Sequence, residues 1–440
     1  MDLDFYSDST YLQLPTLTEM FRRRKSAVVT DDGAVLSTSG ESEFEQYLQT
    51  GEASCHIRFP LHVSLNSVLE ILNVSGNRIN FRPARSFDEK VSLIYDFDNS
   101  DIAVHAVFRL ICHPDPRLLW KSIPVSDDAP FQKININSAG IDLPDGKKLA
   151  AASIRGRLHA NSGRFREDHF AVQTVSGMWT LMAVADGAGS AVYSREGSRI
   201  ACETFMKRAA AVLGDKNSKI NVFLRAEKSE ASRSGIMMQL EECMETLGNV
   251  FYDAAVQTRV EILRKAEGLS QDTTIRDFDT TLLFVCIARI PQGYFIFSFS
   301  VGDCTAAVYT DDPRYFKVMN IQDTGDFAGE TNFLTCLDLT QAGRAGFVSR
   351  TDIHFVPDFR AVCLMTDGLS DPIFESSSEM LSYSGWKALW NSLMISGESH
   401  LDPSVSTSAA DNAERLRKWL GFWSRGYHDD RTLVVVYRPE

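Results

Sequence analysis

An α+β layered sandwich, antiparallel sheets covered by helices, is the fold class predicted for the larger, C-terminal part of this sequence. Strand-like apolar runs come in clusters, and two long helix-periodic stretches follow one another. Nowhere do strand and helix alternate as a parallel βαβ protein requires. A smaller β-rich region comes before it.

Residues 1–50 are polar and rich in Ser, Thr and Asp. They predict a mobile arm with a short helix over Leu17–Arg24, and the cluster Arg22-Arg23-Arg24-Lys25 reads as a solvated helix end rather than a binding patch. Residues 51–115 carry the runs CHIRFPLHV, RINFRP, KVSLIYDF and IAVHAVFRLIC between Asn, Ser, Gly and Pro; they predict a small β-rich domain without a catalytic cluster. Pro114, Pro116, Pro124, Pro130 and Pro144 crowd the next stretch, which ends in the turn signal Asp145-Gly146, so 116–149 reads as a linker.

The main domain is expected over 150–440. HFAVQTV and WTLMAVAD meet at Ser176-Gly177, a hairpin signal. SREGSRIACETFMKRAAAVL predicts an amphipathic helix with Ser194 as N-cap. The stretch from Lys216 to Gly268 predicts a pair of helices over one sheet, with Ser234-Gly235 as a possible break. TTLLFVCIARI, GYFIFSFSVGD, TAAVYTDD and RAVCLMTDGL read as strands. A Trp-rich helical region over Ser384–Trp423 follows, and RTLVVVYRP closes the chain as a strand. The segment Asp311–Arg360, with GDFAGETNFLT, is expected to form a flap.

Bulk properties narrow the function. The 440 residues are 44% hydrophobic and 23% charged, an ordinary globular composition. The formal net charge of −13 disfavours nucleic acid and anionic lipid as partners. None of the eight cysteines forms a Cys-x-x-Cys pair, which predicts reduced thiols and a cytoplasmic protein. No apolar run is long enough to span a membrane. P-loop, G-x-S-x-G and H-E-x-x-H motifs are all absent.

What remains is a repeated theme of aspartates next to apolar strands: Glu167-Asp168 before HFAV, Asp186-Gly187 after LMAVA, Gly302-Asp303 after FSFSV, Asp367-Gly368 after AVCLMT, and Asp429-Asp430 before RTLVVV. Each alone reads as a common turn, Gly302-Asp303 as a hairpin. Together they supply the oxygen ligands that hard divalent cations prefer. Arg157, Arg164 and Arg166 lie close before the acidic pair and could hold phosphate oxygens.

The order of these motifs resembles the type 2C (PPM) family of metal-dependent serine/threonine protein phosphatases, and the bacterial branch looks nearest. The match runs from Arg164 and Glu167-Asp168 through DGAG at Asp186, DTTLLFV at Asp279, GDC at Gly302, TDGL at Thr366 and DDRT at Asp429. The resemblance implies a four-layer α-β-β-α sandwich and two Mn²⁺ or Mg²⁺ ions per site, with a third bound weakly. It implies that Asp186 bridges the two metals, that Gly187 offers a carbonyl, and that Asp367 and Asp429 ligate the first. Glu167 and Asp168 would flank the second, and Asp303 would serve the third. Thr280 and Thr281 would position the strand. The phosphate arginine would be Arg164, with Arg157 as the alternative. Cys304 and Asp430 depart from the family's Ser and Asn. The implied reaction is hydrolysis of phosphoserine and phosphothreonine in proteins, targets of a partner kinase, by a metal-bridging water. The alternative is an inactive pseudophosphatase with a binding role.

Overall fold

The computed structural model describes the backbone of eight strands within residues 2–113, and the chain from Trp120 to Glu440 except 226–232, 321, 323–331, 337–349, 395–396, 398 and 425. Two compact units divide at Lys121–Ser122.

The first unit contains β1 (Asp2–Tyr6), β2 (Leu12–Gln13), β3 (Glu43–Thr50), β4 (Ala53–Pro60), β5 (Leu69–Ser75), β6 (Arg78–Pro83), β7 (Phe87–Phe97) and β8 (Ala103–His113). They form one sheet in the order β1-β8-β7-β4-β3 and another in the order β2-β6-β5. The β-rich runs of the sequence thus fall largely in β4, β6, β7 and β8, and three further strands, β1, β2 and β3, fall within the expected arm. The helix expected over Leu17–Arg24 lies outside the described residues.

The second unit begins earlier than the prolines suggest. Within the expected linker, β9 (Ile136–Asp142) pairs along its full length with β10 (Lys148–Ile154). The intervening turn uses Gly146 at φ +83°, and prolines at 130 and 144 merely bracket this edge strand. After helix α1 (Arg157–Ser162), β11 (His169–Val175) and β12 (Trp179–Ala185) form the expected hairpin, with Ser176 and Gly177 both at positive φ. Helix α2 (Ser194–Gly214) has Tyr193, not Ser194, at its N-cap. Next come α3 (Lys219–Arg225) and α4 (Arg233–Glu267). Ser234-Gly235 begins this second helix instead of breaking it. The chain continues through β13 (Leu282–Ile290), β14 (Gly293–Val301), β15 (Thr305–Tyr309), β16 (Lys317–Val318), β17 (Thr351–Val356) and β18 (Ala361–Met365). Helices α5 (Asp367–Ile373), α6 (Ser377–Met380), α7 (Tyr383–Leu393) and α8 (Ala409–Leu420) precede the last strand, β19 (Arg431–Tyr437).

Two antiparallel sheets result, in the orders β16-β15-β18-β19-β10-β9 and β11-β12-β13-β14-β17. Alternation along each strand divides the side chains between two faces. Met182, Val184, Leu283, Val285, Val362, Leu364, Val434 and Val436 fill the space between the sheets. Leu181, Ala183, Phe284 and Phe299 instead meet α2 and α4, where Phe205 stacks on Phe299 at 5.3 Å. Cys363, Met365, Leu433 and Val435 meet α7 and α8 through Trp386, Trp390 and Leu416. Four layers follow, as expected. Strands buried on both faces are continuous apolar runs such as TLVVVY rather than alternating ones. Among the described residues, no helix is long and apolar enough to cross a membrane.

Candidate metal centre

Strand register alone gathers the acidic motifs. His169 pairs with Ala185, so the start of β11 and the end of β12 share one edge, with Glu167-Asp168 and Asp186 just beyond it. In the other sheet Met365 pairs with Leu433, which sets Asp367 beside Asp429-Asp430. Leu282 pairs with Val301, and Thr305 with Met365. Gly302-Asp303 therefore carries the chain from one sheet to the other at this same edge. The hairpin reading of Gly302-Asp303 is thereby corrected: its two apolar runs belong to different sheets.

The carboxylates sense one another. Burial, and then the charges of Asp367, Asp168 and Asp429, raise the Asp186 carboxyl well above its ordinary range. Burial and the charges of Asp303, Asp168 and Asp429 do the same to Asp367. Burial, then Asp430, raises Asp168 to about 6. Glu167 is raised by burial against the opposing pull of His159 and Arg164. Asp429 is raised by burial and by Asp430. Asp303 acts on Asp367 and Asp371 and so belongs to the side of the cluster made by α5.

Backbone and hydroxyl donors fix the individual groups. The Asp186 amide donates to the Thr281 hydroxyl at 2.8 Å, while the Thr281 amide and Thr280 hydroxyl donate to the Asp186 carbonyl at 2.8 and 2.9 Å. Gly187 bridges to Thr280 in the next strand. The hydroxyls of Thr366 and Thr432 donate to Asp168 Oδ2 at 2.8 and 2.6 Å. Cys304 lies buried with its Sγ 3.3 Å from the Thr281 hydroxyl. Lys133 donates to the Glu167 carbonyl at 3.1 Å and to Ser198 Oγ at 3.0 Å; burial and Arg166 lower its pKa to about 7.

His159 is the residue that sequence reasoning missed as part of the site, and Asp430, read there as one of the strand-end acids and as a departure from the family's Asn, is tied into it through backbone amides. The buried Asp430 carboxylate accepts the amides of Gly156 at 2.6 Å, Glu167 at 2.5 Å and Asp168 at 3.3 Å. His159 Nδ1 stands 3.0 Å from Asp430 Oδ1 and 3.8 Å from Asp429 Oδ1. Burial alone would lower the His159 pKa, but contact with Asp430 and the charges of Glu167 and Asp429 raise it to about 9. Ligand-capable atoms of His159, Asp429 and Asp430 all lie within 4.8 Å of one another, a candidate metal-holding group among the described residues. His159 stands eight residues before Glu167 on the short helix α1, and a single histidine in a polar stretch carries no signal of its own in the sequence.

The two arginines part company. Arg164 Nη2 donates to Glu167 Oε1 at 2.6 Å and to the Gly189 carbonyl at 2.8 Å, with its side chain 42% exposed. It thus ties the acidic pair to the loop after Asp186. Arg157 points to the other side of α1, donating to the carbonyls of Gly421 at 3.2 Å and Phe422 at 3.3 Å, and lying over the Trp423 ring at 4.9 Å. Most of GDFAGETNFLT, the core of the expected flap, lies outside the described residues.

An all-oxygen set of carboxylates, gathered at one edge and held against ionisation mainly by burial and by each other, fits hard divalent cations. Comparison with known proteins bears on the same region. The family model for protein phosphatase 2C matches residues 155–421. Among solved structures, the serine-threonine phosphatase 2C from Toxoplasma gondii is 15% identical with a TM-score of 0.41, covering 68% of this chain and 99% of its own. The Mycobacterium tuberculosis serine/threonine phosphatase PstP/Ppp is 14% identical with a TM-score of 0.36, covering 70% and 100%. The Staphylococcus aureus serine/threonine phosphatase Stp1 is 12% identical with a TM-score of 0.34, covering 70% and 98%. A search of curated proteins returned no match in sequence. Because the family match spans well over half of the 440 residues, this chain belongs to the protein phosphatase 2C family of metal-dependent serine/threonine phosphatases.

Proposed function

We propose that this protein hydrolyses phosphoserine and phosphothreonine in protein substrates, the targets of a partner kinase in the cytoplasm, using two Mn²⁺ or Mg²⁺ ions and a weaker third. The observation that carries the reading is the strand register that gathers Asp186, Asp168, Asp367 and Asp429 at one edge of the sandwich. Like charges buried together are costly unless cations join them. Asp186 would bridge the two ions, with the Gly187 carbonyl beside it. Asp367 and Asp429 would hold the first ion, and Glu167 and Asp168 the surroundings of the second. Asp303 would hold the third.

When bound, such cations activate water as a nucleophile and neutralise charge on the phosphoryl oxygens. The residues of the chain do the rest. Arg164, already fastened to Glu167 and the Gly189 carbonyl, presents a planar fork that suits two phosphate oxygens. Thr280 and Thr281 keep the Asp186 peptide fixed through both of its hydrogen-bonding groups. Thr366 and Thr432 orient one oxygen of Asp168. The test is release of phosphate from a phosphothreonine peptide. Turnover is expected with Mn²⁺ or Mg²⁺ and none after chelation. Equal turnover in both conditions, or none in either, overturns the reading.

A further inference from the structure

The candidate ligands come from stretches far apart in the chain, and one buried pair touches three of them. Asp430 follows Asp429 directly. Its carboxylate takes the amides of Glu167 and Asp168 on one oxygen and the Gly156 amide on the other. His159 sits on the helix that Gly156 caps, is 4% exposed, and pairs with Asp430 through Nδ1 at 3.0 Å. Its Nε2 stands 3.8 Å from Glu167 Oε2. Asp430 thus ties its own segment to the backbone of both Glu167 and Gly156, and His159 packs against it from α1.

We infer that His159 and Asp430 form a positioning clamp that sets the spacing between Asp429 and the Glu167–Asp168 pair, and thereby the affinity of the site for divalent metal. The inference rests on the proposed metal site, but not on turnover. The clamp bonds to the peptide groups that carry the ligands instead of to the metal. Outer groups that orient ligands typically change metal affinity roughly 10–100-fold when removed.

The geometry also separates clamp from ligand. Asp430 Oδ1 already accepts the Gly156 amide at 2.6 Å, and His159 Nδ1 stands at ion-pair distance from that same oxygen. A metal between Nδ1 and Oδ1 would have to open the 3.0 Å contact that joins them.

The experiment is calorimetric titration of Mn²⁺ into the metal-stripped full chain, wild type against His159→Leu and His159→Asn, with phosphopeptide turnover measured in parallel. Asparagine keeps a donor near the place of Nδ1, whereas leucine keeps only bulk. His159→Leu is expected to weaken Mn²⁺ binding roughly tenfold or more, at unchanged stoichiometry, with turnover recovering at saturating Mn²⁺. His159→Asn is expected to restore most of the affinity, and His159→Ala, expected to lose as much as leucine does, carries the test should the leucine variant not fold. Wild-type affinity in His159→Leu overturns the clamp. Loss of one equivalent of Mn²⁺ in both variants, with the remaining sites unchanged, overturns it too, because His159 would then be a ligand. A wild type that binds no Mn²⁺ overturns the metal reading itself, and one that binds it without releasing phosphate overturns the hydrolytic reading while the clamp test stands.

Discussion

Replacing Asp186 by asparagine should make the metal-free protein more stable while removing its response to metal. Asp168 shows the scale of the effect. Burial and then the Asp430 charge raise its carboxyl from 3.8 to about 6, which at about 1.36 kcal/mol per unit opposes its ionisation at pH 7 by ~3 kcal/mol. Asp186 is raised well above its ordinary value by burial and by the charges of Asp367 and Asp168. Asparagine cannot ionise and so escapes both the burial cost and the repulsion, so a higher Tm than wild type is expected in chelator at neutral pH. The sign follows from linkage. A carboxyl whose folded pKa is raised contributes stability below its unfolded value near 4 and loses it as pH rises through the folded value. The gap between variant and wild type should therefore be small at pH 4 and widen towards pH 7. Thermal melts with EDTA and with Mn²⁺, from pH 4 to 7, measure both. A metal-free variant no more stable than wild type at pH 7 would refute the electrostatic reasoning, since the carboxylates would then not be crowding one another.

Three further outcomes follow from the same geometry. Arg164→Ala should lower kcat/KM for a phosphopeptide about 10–100-fold, the value of one or two charge-assisted hydrogen bonds, whereas Arg157→Ala, whose guanidinium holds Gly421 and Phe422, should change turnover of a small aryl phosphate less than threefold; steady-state kinetics of both variants decide between them. A methyl group on Gly368 would meet the Asp430 carbonyl at 2.0 Å, so Gly368→Ala should cost about 1–3 kcal/mol and weaken Mn²⁺ binding, read by denaturant melts and calorimetry. His169, lowered to about 2 by burial and by Lys133, contributes stability above its unfolded value near 6.5 and loses it as pH falls; His169→Gln should therefore retain ~2 kcal/mol more of its neutral-pH stability than wild type at pH 5, by urea titration in chelator at the two pH values.

The sandwich was legible because its strands carry long apolar runs and its turns carry Asp-Gly and Ser-Gly, both local signals. β9 was hidden because prolines on either side resemble a linker, and only pairing with β10 makes it a strand. At the site, the strand-end aspartates stood out one by one, since a carboxylate after an apolar run is visible in one dimension. His159 and the backbone ties of Asp430 did not, because their meaning lies in contacts across more than 250 residues of chain, such as Gly156 to Asp430. Spacing favoured Arg164 over Arg157, and the fold separates them further: Arg164 turns toward Glu167, while Arg157, on α1, turns toward Phe422.

The division of ligands between two sheets has a mechanical consequence. Glu167, Asp168 and Asp186 ride on one leaf, Asp367 and Asp429 on the other, and a cation bound to both would work as a rivet. Each ion would then strengthen the joint between the leaves, and withdrawing it would let them slide before either one melts.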